Sequence, residues 1–288
     1  METLIVFLID ILANLFFAAL IIPMPFNDKG VVRYDSIPYV TVGLIVVNSL
    51  IFLTTRAPHW FDLVNAQPET FEMFEAQLRL YQQTWTYGAR ESFFRDGTSI
   101  GAFSAFSSMF MHADFNHLVG NMIFLWAFGK RVEDACGAWR YLAFYIFAGF
   151  IATIGTYAIT TSPYDVPGIG ASGAILGLLG AYVLLFPSAR MGCLWVAAVI
   201  LRVVFSNFSR LIGEKPPDFK WTIQIPALIV IAFYVGFDIN NTFRSIDSGE
   251  LQGGVNYVAH ATGFLSAITI FLFVRKDLFT RYVAGRAL

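Results

Sequence analysis

The sequence has 288 residues, of which 57% are hydrophobic, 17% aromatic and only 14% charged, with a net charge of −1. Soluble domains carry about 25% charged residues, so most of this chain faces something other than water. The balanced charge gives no basic patch for a nucleic acid, and the two cysteines, Cys136 and Cys193, are too few and too far apart for a disulfide framework or a zinc knuckle. The composition indicates an all-α polytopic membrane protein with the lipid bilayer as a partner.

The first apolar segment, Leu4–Phe26, differs from a signal peptide, because Glu2 stands where a positive charge is expected and Asp10 interrupts the apolar core. We interpret it as either an extra span or a helix on the membrane surface. The sequence thus predicts an N-terminal segment and cytoplasmic linker over 1–36, a transmembrane domain over 37–276 and a cytoplasmic tail over 277–288.

A membrane-spanning helix needs about 20 mostly apolar residues. Six further stretches meet this requirement and predict a six-helix transmembrane bundle. They are Ile37–Leu53, Phe115–Phe128, Tyr141–Thr161, Gly170–Pro187, Thr222–Phe237 and Tyr257–Val274. The apolar stretch Met191–Phe205 is short and contains Arg202, so we predict an interfacial segment there rather than a span.

Most of the Lys and Arg residues lie in the connections on one side of these six spans. Because such connections stay in the cytoplasm, we expect a cytoplasmic C-terminus and a multi-pass protein of the bacterial inner membrane. The long outside connection, from Thr54 to about Ala113, contains the amphipathic stretch ETFEMFEAQLRLYQQTW. This stretch either lies on the membrane surface or forms an ordinary soluble helical hairpin.

Four polar side chains are predicted at one depth, in the outer half of the bilayer. His117 and Asn121 are four residues apart and share a helix face, Ser172 lies near the start of GIGASGAILGLLGAYVLLFP, and His260 lies about one turn into the last span. Ionisable groups within spans are costly and mark candidate functional sites. Each residue also has a structural interpretation. In that interpretation Ser172 is a small packing residue, and His260 and Asn121 only form hydrogen bonds between helices.

The spans that carry Ser172 and His260 both contain small residues at helical spacing. Small residues let membrane helices approach closely, so these two stripes are expected to pack together and bring the two side chains near each other. The stripes consist of Gly173, Gly177 and Gly180 in one span and Ala259, Gly263 and Ala267 in the other.

A serine and a histidine with no acidic partner evident nearby predict a catalytic dyad. His260 would take the proton of Ser172 as the serine attacks a carbonyl, and then return it to the leaving amine. The Asn121 amide, the His117 ring and the Ser172 backbone N–H are candidate donors to the oxyanion. No cofactor is expected, and no metal site either, because the H-x4-H pair of His112 and His117 lacks zinc-site spacing and an acidic or cysteine ligand.

Three motifs in this order, HADFNHLVGNM, GASGAILG and AHATGF, resemble those of the rhomboid family of intramembrane serine proteases. The resemblance runs from about Ile37 to Val274. It implies that Ser172, in G-x-S-G, is the nucleophile and that His260, in A-H-x-x-G, is the base, with oxyanion support from His117 and Asn121. Structural support is expected from Gly170, Gly173, His112, Glu133 and Gly263.

Three positions depart from the pattern that this resemblance implies. Leu176 stands where the family commonly has an aromatic residue that stacks on the catalytic histidine, and Ala267 replaces the second glycine of the last helix's G-x-x-x-G. The family's Trp-Arg motif in the first long loop has no match. By resemblance, the substrates are single-span membrane proteins that unwind near the outer membrane face and carry a small residue before the cut.

The sequence was also compared with the features expected of three other classes of protein. A catalytically inactive relative usually lacks the serine or the histidine, and both are present here. A transporter or channel predicts inverted repeats with paired broken helices, and a metal-dependent intramembrane protease predicts an H-E-x-x-H motif. Neither feature is found in the sequence, and the oligomeric state is left open.

Overall fold

A computed structural model describes residues 9, 12–13, 16, 19–20, 23–28, 37–95, 100–160, 165–216, 220–248 and 256–274. These residues are mostly helical, as the sequence predicts. The chain divides into two compact units, Met1–Val31 with Ser188–Val230, and Val32–Pro187 with Ile231–Leu288. The predicted tail, 277–288, most of the linker before residue 37 and much of Leu4–Phe26 lie outside the described residues.

The larger unit is built from helices. Two of them contain a π-helical turn, at Phe52–Arg56 and at Leu125–Gly129. π-turns commonly occur at functional sites, and the second follows the Asn121 segment directly. The helical segments are Tyr39–Ile51, Ala57–Asn65, Phe71–Tyr87, Glu91–Arg95, Ile100–Ser108, Phe115–Phe124, Lys130–Cys136, Ala138–Ile159, Ser172–Leu185, the part of Ala227–Ser248 from Ile231 onwards, and Tyr257–Val274.

In the described residues, two helices are both long and apolar enough to cross a membrane, Tyr39–Asn65 and Ala138–Ile159. Two shorter apolar helices, Ser172–Leu185 and Ala227–Phe243, coincide with further predicted spans. The predicted count of six spans therefore stays a prediction.

The long connection after the first helix contains a helical hairpin. Helix Phe71–Tyr87 packs against Ala57–Asn65 and buries Ala76 and Leu80. Its first turn is capped by Thr70, whose hydroxyl accepts a hydrogen bond from the Met73 N–H at 3.4 Å. Arg56 fixes the hairpin, because its guanidinium donates to the carbonyls of Leu80 and Ala113 and to the Thr84 hydroxyl.

Glu133, in helix 115–136, connects this helix to Tyr39–Ile51. Its buried carboxylate accepts hydrogen bonds from the N–H groups of Val40 and Thr41 and from the Thr41 hydroxyl, at 2.7–2.9 Å. The first N–H groups of a helix have no partner within the helix, and a negative charge there is favoured by the helix dipole. Glu133 therefore caps helix Tyr39–Ile51 from a distant part of the sequence.

The smaller unit corrects the expectation of an all-α protein, because it contains a three-stranded antiparallel sheet. The strand order is β1–β2–β3, with Met24 opposite Leu194 and Arg190 opposite Pro226. The bounds are Met24–Asp28 for β1, Arg190–Leu194 for β2 and Thr222–Pro226 for β3.

Three sequence assignments change with this sheet. Leu4–Phe26 is not helical to its end, because Met24–Phe26 belong to β1; Met191–Phe205 is a strand followed by a helix; and Thr222–Phe237 starts as a strand, so its helix begins only at Ala227. Each strand has five residues, and β2 and β3 are each followed by an apolar helix. Hydrophobicity alone does not separate such short apolar strands from helices.

Helix Val196–Leu211 follows β2 and presents its apolar side outward. Ser206 and Ser209 are buried, whereas Leu201, Phe205 and Leu211 are exposed. The connection from this helix to β3 is fastened by Arg202, which donates to the carbonyls of Lys220 and Thr222.

Candidate active site

A cavity of about 520 Å³ in the larger unit is lined by the four polar residues that the sequence placed at one depth, whereas His112, Glu133 and Gly263 are not part of its lining. Its walls come from separate helices. One is 115–136, which carries His117 and Asn121, and two others are Ser172–Leu185 and Tyr257–Val274. Ser172 and His260 both line it. The structure thus brings four polar residues, spread over more than 140 positions of sequence, to one cavity.

Ser172 is the first residue of its helix, which we call the serine helix (Ser172–Leu185). The first hydrogen bond of the helical turn joins the Ile175 N–H to the Ala171 carbonyl at 3.0 Å. The preceding N–H groups, that of Ser172 included, receive no partner from the helix itself. A helix N-terminus of this kind attracts negative charge, so the Ser172 N–H is placed to donate to an anion in the cavity.

The chain turns sharply just before Ser172. Gly170 has φ +127°, a backbone conformation that residues with a Cβ rarely adopt, and its N–H donates to the Ser108 carbonyl at 2.8 Å. A methyl group on Gly170 would lie 2.8 Å from His117 Nε2 and 3.6 Å from Ser172 Oγ. Glycine is therefore required both for the turn and for the approach of His117 to the serine.

The loop before Gly170 is fastened to the long connection that precedes it in sequence. Gly168 and Ala89 exchange two backbone hydrogen bonds, at 2.8 and 2.9 Å. The Asp165 carboxylate accepts from both the N–H and the hydroxyl of Ser92. These contacts fix the backbone that leads into Ser172.

His117 presents a hydrogen-bond donor toward this turn. Its helix is capped by Asp114, whose carboxylate accepts from the His117 N–H at 2.8 Å. The ring Nδ1 accepts from the Ala113 N–H at 3.4 Å. A neutral imidazole with one accepting nitrogen carries its proton on the other, so Nε2 is the donor, on the side of Gly170.

Asn121 lies one turn further along the same helix and is buried. Its Nδ2 has no hydrogen-bond partner among the described residues. A buried polar group without a partner is costly and calls for an explanation. One explanation for the unpartnered Asn121 Nδ2 is that it donates to an oxygen of a substrate bound in the cavity.

His112 packs behind His117, with the two ring centroids 5.1 Å apart and the rings edge to face. Burial lowers the pKa of His112 to about 3, because a charged ring is disfavoured away from water. This ring is therefore neutral and supports the orientation of His117 without adding charge to the cavity.

His260 has an acidic neighbour that the sequence analysis missed. Its Nδ1 lies 3.0 Å from Asp238 Oδ2, and both side chains are largely buried. The expectation that no carboxylate lies near His260 is wrong. The fifth span was predicted to end at Phe237, one residue before Asp238, whereas the helix continues to Ser248; with the correct end, the aspartate would have stood out as an ionisable residue within an apolar helix.

An aromatic ring also contacts His260. The Tyr257 ring lies edge-on to the imidazole, with a centroid distance of 6.0 Å. Leu176, in the serine helix, lines the cavity without providing a ring. The aromatic partner of His260 thus comes from the histidine's own helix, one turn away.

The serine helix packs directly on Tyr257–Val274, which we call the histidine helix. A methyl group on Gly263 would overlap the Gly173 carbonyl, and one on Gly180 would lie 2.8 Å from the Ala267 Cβ. The predicted packing of the two small-residue stripes is confirmed. Within the described residues, no hydrogen bond joins the Ser172 hydroxyl to His260; such bonds are often long in unliganded enzymes and tighten with substrate.

Comparison with known proteins links this arrangement to one family. A family model described as "Rhomboid domain" matches residues 101–277, which is more than half of the chain. YdcA of Bacillus subtilis (strain 168) is 33% identical over 130 residues, which cover 45% of this chain and 54% of YdcA.

Two other relatives are matched over longer stretches of this chain. "Rhomboid protease GluP", also of Bacillus subtilis, is 33% identical over 160 residues, which cover 54% of this chain and 25% of GluP. "Rhomboid-like protein 11, chloroplastic" of Arabidopsis thaliana is 27% identical over 170 residues, which cover 59% and 51%. The chain therefore spans about half the length of two of these relatives and a quarter of the third.

Proposed function

Because the chain belongs to the rhomboid family of intramembrane proteases, we propose that it is a serine endopeptidase with Ser172 as nucleophile and His260 as base. The observation that carries the proposal is the shared cavity, to which Ser172, His260 and Asn121 all contribute. Three helices would not bring these polar side chains together for packing alone, since each costs desolvation.

In the proposed reaction, Ser172 Oγ attacks the carbonyl carbon of the scissile peptide bond while His260 Nε2 takes the hydroxyl proton. The imidazolium then gives this proton to the leaving amine, and the C–N bond breaks to leave an ester on Ser172. Water attacks the ester in a second cycle, with His260 again as base. The products are two peptides with free amine and carboxylate ends.

The oxyanion of each tetrahedral intermediate needs donors already in place. The Asn121 Nδ2, the Ser172 N–H and the His117 Nε2–H are the proposed donors. The unpartnered state of Asn121 Nδ2 and the hydrogen bond that directs the His117 proton to Nε2 support this assignment. Because the donors are held before substrate binds, they require little reorganisation during the reaction.

Rhomboid proteases act on transmembrane substrates within the membrane. We extend this to single-span proteins cut near the outer face, with 37–276 as a six-span catalytic domain and a cytoplasmic C-terminus in a bacterial inner membrane. A substrate helix must unwind first, because its peptide groups are engaged in i→i+4 hydrogen bonds. Helix-weakening residues near the cleavage site are therefore part of the proposal.

The test is labelling of the purified protein with a fluorophosphonate probe, which reacts with activated serines, beside cleavage of a single-span substrate. We expect the parent protein to be labelled on the peptide that contains Ser172, and Ser172→Ala and His260→Ala to remain unlabelled. Ser108→Ala is the matched control: Ser108 lines the same cavity, and its hydroxyl donates to the Ala105 carbonyl, so labelling should persist.

The opposite result would identify a different kind of family member. If the folded parent protein is neither labelled nor able to cut a substrate, the proposal fails and Ser172 is a small packing residue. The chain would then be an inactive relative that binds membrane proteins without cutting them.

A further inference from the structure

The contact between Asp238 and His260 joins two helices at the candidate active site. Asp238 lies in Ala227–Ser248, which we call the aspartate helix, and its Oδ2 is 3.0 Å from His260 Nδ1. Only 14% of the Asp238 side chain and 12% of the His260 side chain are exposed. Both residues line the same cavity as Ser172. The carboxylate contacts Nδ1, so Nε2 is the ring nitrogen left to serve Ser172.

A carboxylate at Nδ1 determines which tautomer the ring adopts. An ionised carboxylate only accepts hydrogen bonds, so Nδ1 must carry the proton and donate it. Nε2 then has the free lone pair that a general base needs to accept the serine proton. Without the carboxylate, the neutral ring is free to carry its proton on Nε2, where it cannot act as a base.

We propose that Asp238 is a positioning residue of the reaction: it holds His260 in the Nδ1–H tautomer and stabilises the imidazolium formed when Ser172 gives up its proton. The inference rests on the proposed roles of Ser172 and His260. The aspartate stays ionised throughout, and the only proton that moves passes from Ser172 Oγ to His260 Nε2 and on to the leaving amine. The site then works as a triad rather than a dyad.

A second contact joins the same two helices. A variant that lacks it shows whether Asp238 positions His260 or merely connects the helices. The Thr242 hydroxyl, one turn beyond Asp238, lies within hydrogen-bond distance of the Asp238 carbonyl in its own helix, at 2.7 Å, and of the Tyr257 carbonyl in the histidine helix, at 2.9 Å. Thr242→Val therefore removes a polar contact between the aspartate and histidine helices without changing His260. If Asp238 merely connected the helices, loss of either contact would have similar consequences.

The experiment compares the parent protein with Asp238→Asn, Asp238→Ala and Thr242→Val, in detergent micelles, by two measurements. The first is the kinetics of substrate cleavage. We expect Asp238→Asn to lower kcat by about 10³-fold or more with KM within about twofold, because an amide that donates to Nδ1 forces the wrong tautomer. Thr242→Val should keep kcat within about threefold of the parent value even if its melting temperature falls.

The second measurement is the nitrogen chemical shifts of histidines labelled with 15N, in which His260→Ala identifies the His260 signals among the four histidines. The shifts report which ring nitrogen carries the proton. We expect protonated Nδ1 in the parent protein and in Thr242→Val, and protonated Nε2 in Asp238→Asn. Asp238→Ala should show a mixture of both tautomers.

The two measurements distinguish failure of this inference from failure of the proposed function. An active parent protein whose His260 tautomer and kcat are unchanged in both Asp238 variants overturns the role of Asp238 alone. A parent protein that neither reacts nor cleaves, but whose tautomer changes in Asp238→Asn, leaves the control of the ring by Asp238 in place and overturns the proposed chemistry.

Discussion

Two buried polar clusters on the same helix, 115–136, differ in how their hydrogen bonds are arranged. At one end, the Glu133 carboxylate receives three donors from the start of helix Tyr39–Ile51. Twelve residues earlier, about 18 Å along the helix, Asn121 Nδ2 has no partner within the described residues. Satisfied buried groups add rigidity, whereas unsatisfied ones cost stability and point to function. The helix thus combines a fully bonded carboxylate near one end with an unsatisfied amide donor near the other.

The largest effect is expected where the cavity depends on close contact between backbones. In Gly263→Val, the new side chain overlaps the Gly173 carbonyl, and backbone cannot move aside as a side chain can. We expect the free energy of unfolding to fall by about 3 kcal/mol or more and cleavage to disappear. Gly236→Val is the control, since a Cβ there meets no other part of the described structure within 4 Å beyond its own helix backbone and chain neighbours. If Gly263→Val retains the parent's melting temperature in detergent and its activity, the two helices do not pack as described.

Asn121→Ala tests the unsatisfied cluster. The loss of an oxyanion donor lowers kcat by about 10²–10³-fold, whereas thermal unfolding should hardly change, because the Asn121 amide N–H groups contribute no hydrogen bond within the described structure. Cleavage rates and melting curves of the same preparation provide both readouts. A variant that cuts within twofold of the parent rate removes Asn121 from the mechanism, and one that unfolds shows that the side chain is structural.

The sequence allowed most long helices of the larger unit, and the four polar residues that line its cavity, to be predicted, because both depend on local patterns. The glycine stripes, the His117–Asn121 spacing and the motif around Ser172 each lie within about ten residues. The proximity of Asp238 to His260 and the presence of the sheet were missed for a common reason. Both depend on where, within an apolar run, a strand gives way to a helix and where that helix ends. The run from Thr222 is a strand to Pro226 and then a helix to Ser248, and hydrophobicity does not mark either boundary.

Glu133→Gln tests the satisfied cluster. Its effects should be opposite to those of Asn121→Ala, with lower stability and nearly unchanged catalysis. The amide cannot accept all three donors on equal terms, and hydrogen bonds to a charged group contribute about 1.5–3 kcal/mol each. We expect the free energy of unfolding to fall by about 2 kcal/mol, with kcat of the folded protein within about threefold of the parent value. Glu75→Gln is a suitable control, because Glu75 pairs with Arg79 on the exposed face of Phe71–Tyr87, and the substitution should leave the unfolding curve unchanged. If Glu133→Gln abolishes catalysis without loss of stability, the two clusters are not separate in function.

The smallest effect concerns the aromatic ring that contacts His260 in the candidate active site. Tyr257 provides the aromatic contact that Leu176 lacks, and such edge-to-face pairs contribute about 0.5–1.5 kcal/mol. Tyr257→Leu should therefore lower kcat by about three- to tenfold, while Tyr257→Phe, which keeps the ring, should match the parent. If the ring itself is what orients the histidine, Leu176→Tyr should restore activity to Tyr257→Leu, since Leu176 lines the same cavity from the serine helix. A loss of activity in Tyr257→Phe equal to that in Tyr257→Leu would instead assign the effect to the hydroxyl group, and the position of the ring would then be irrelevant to His260.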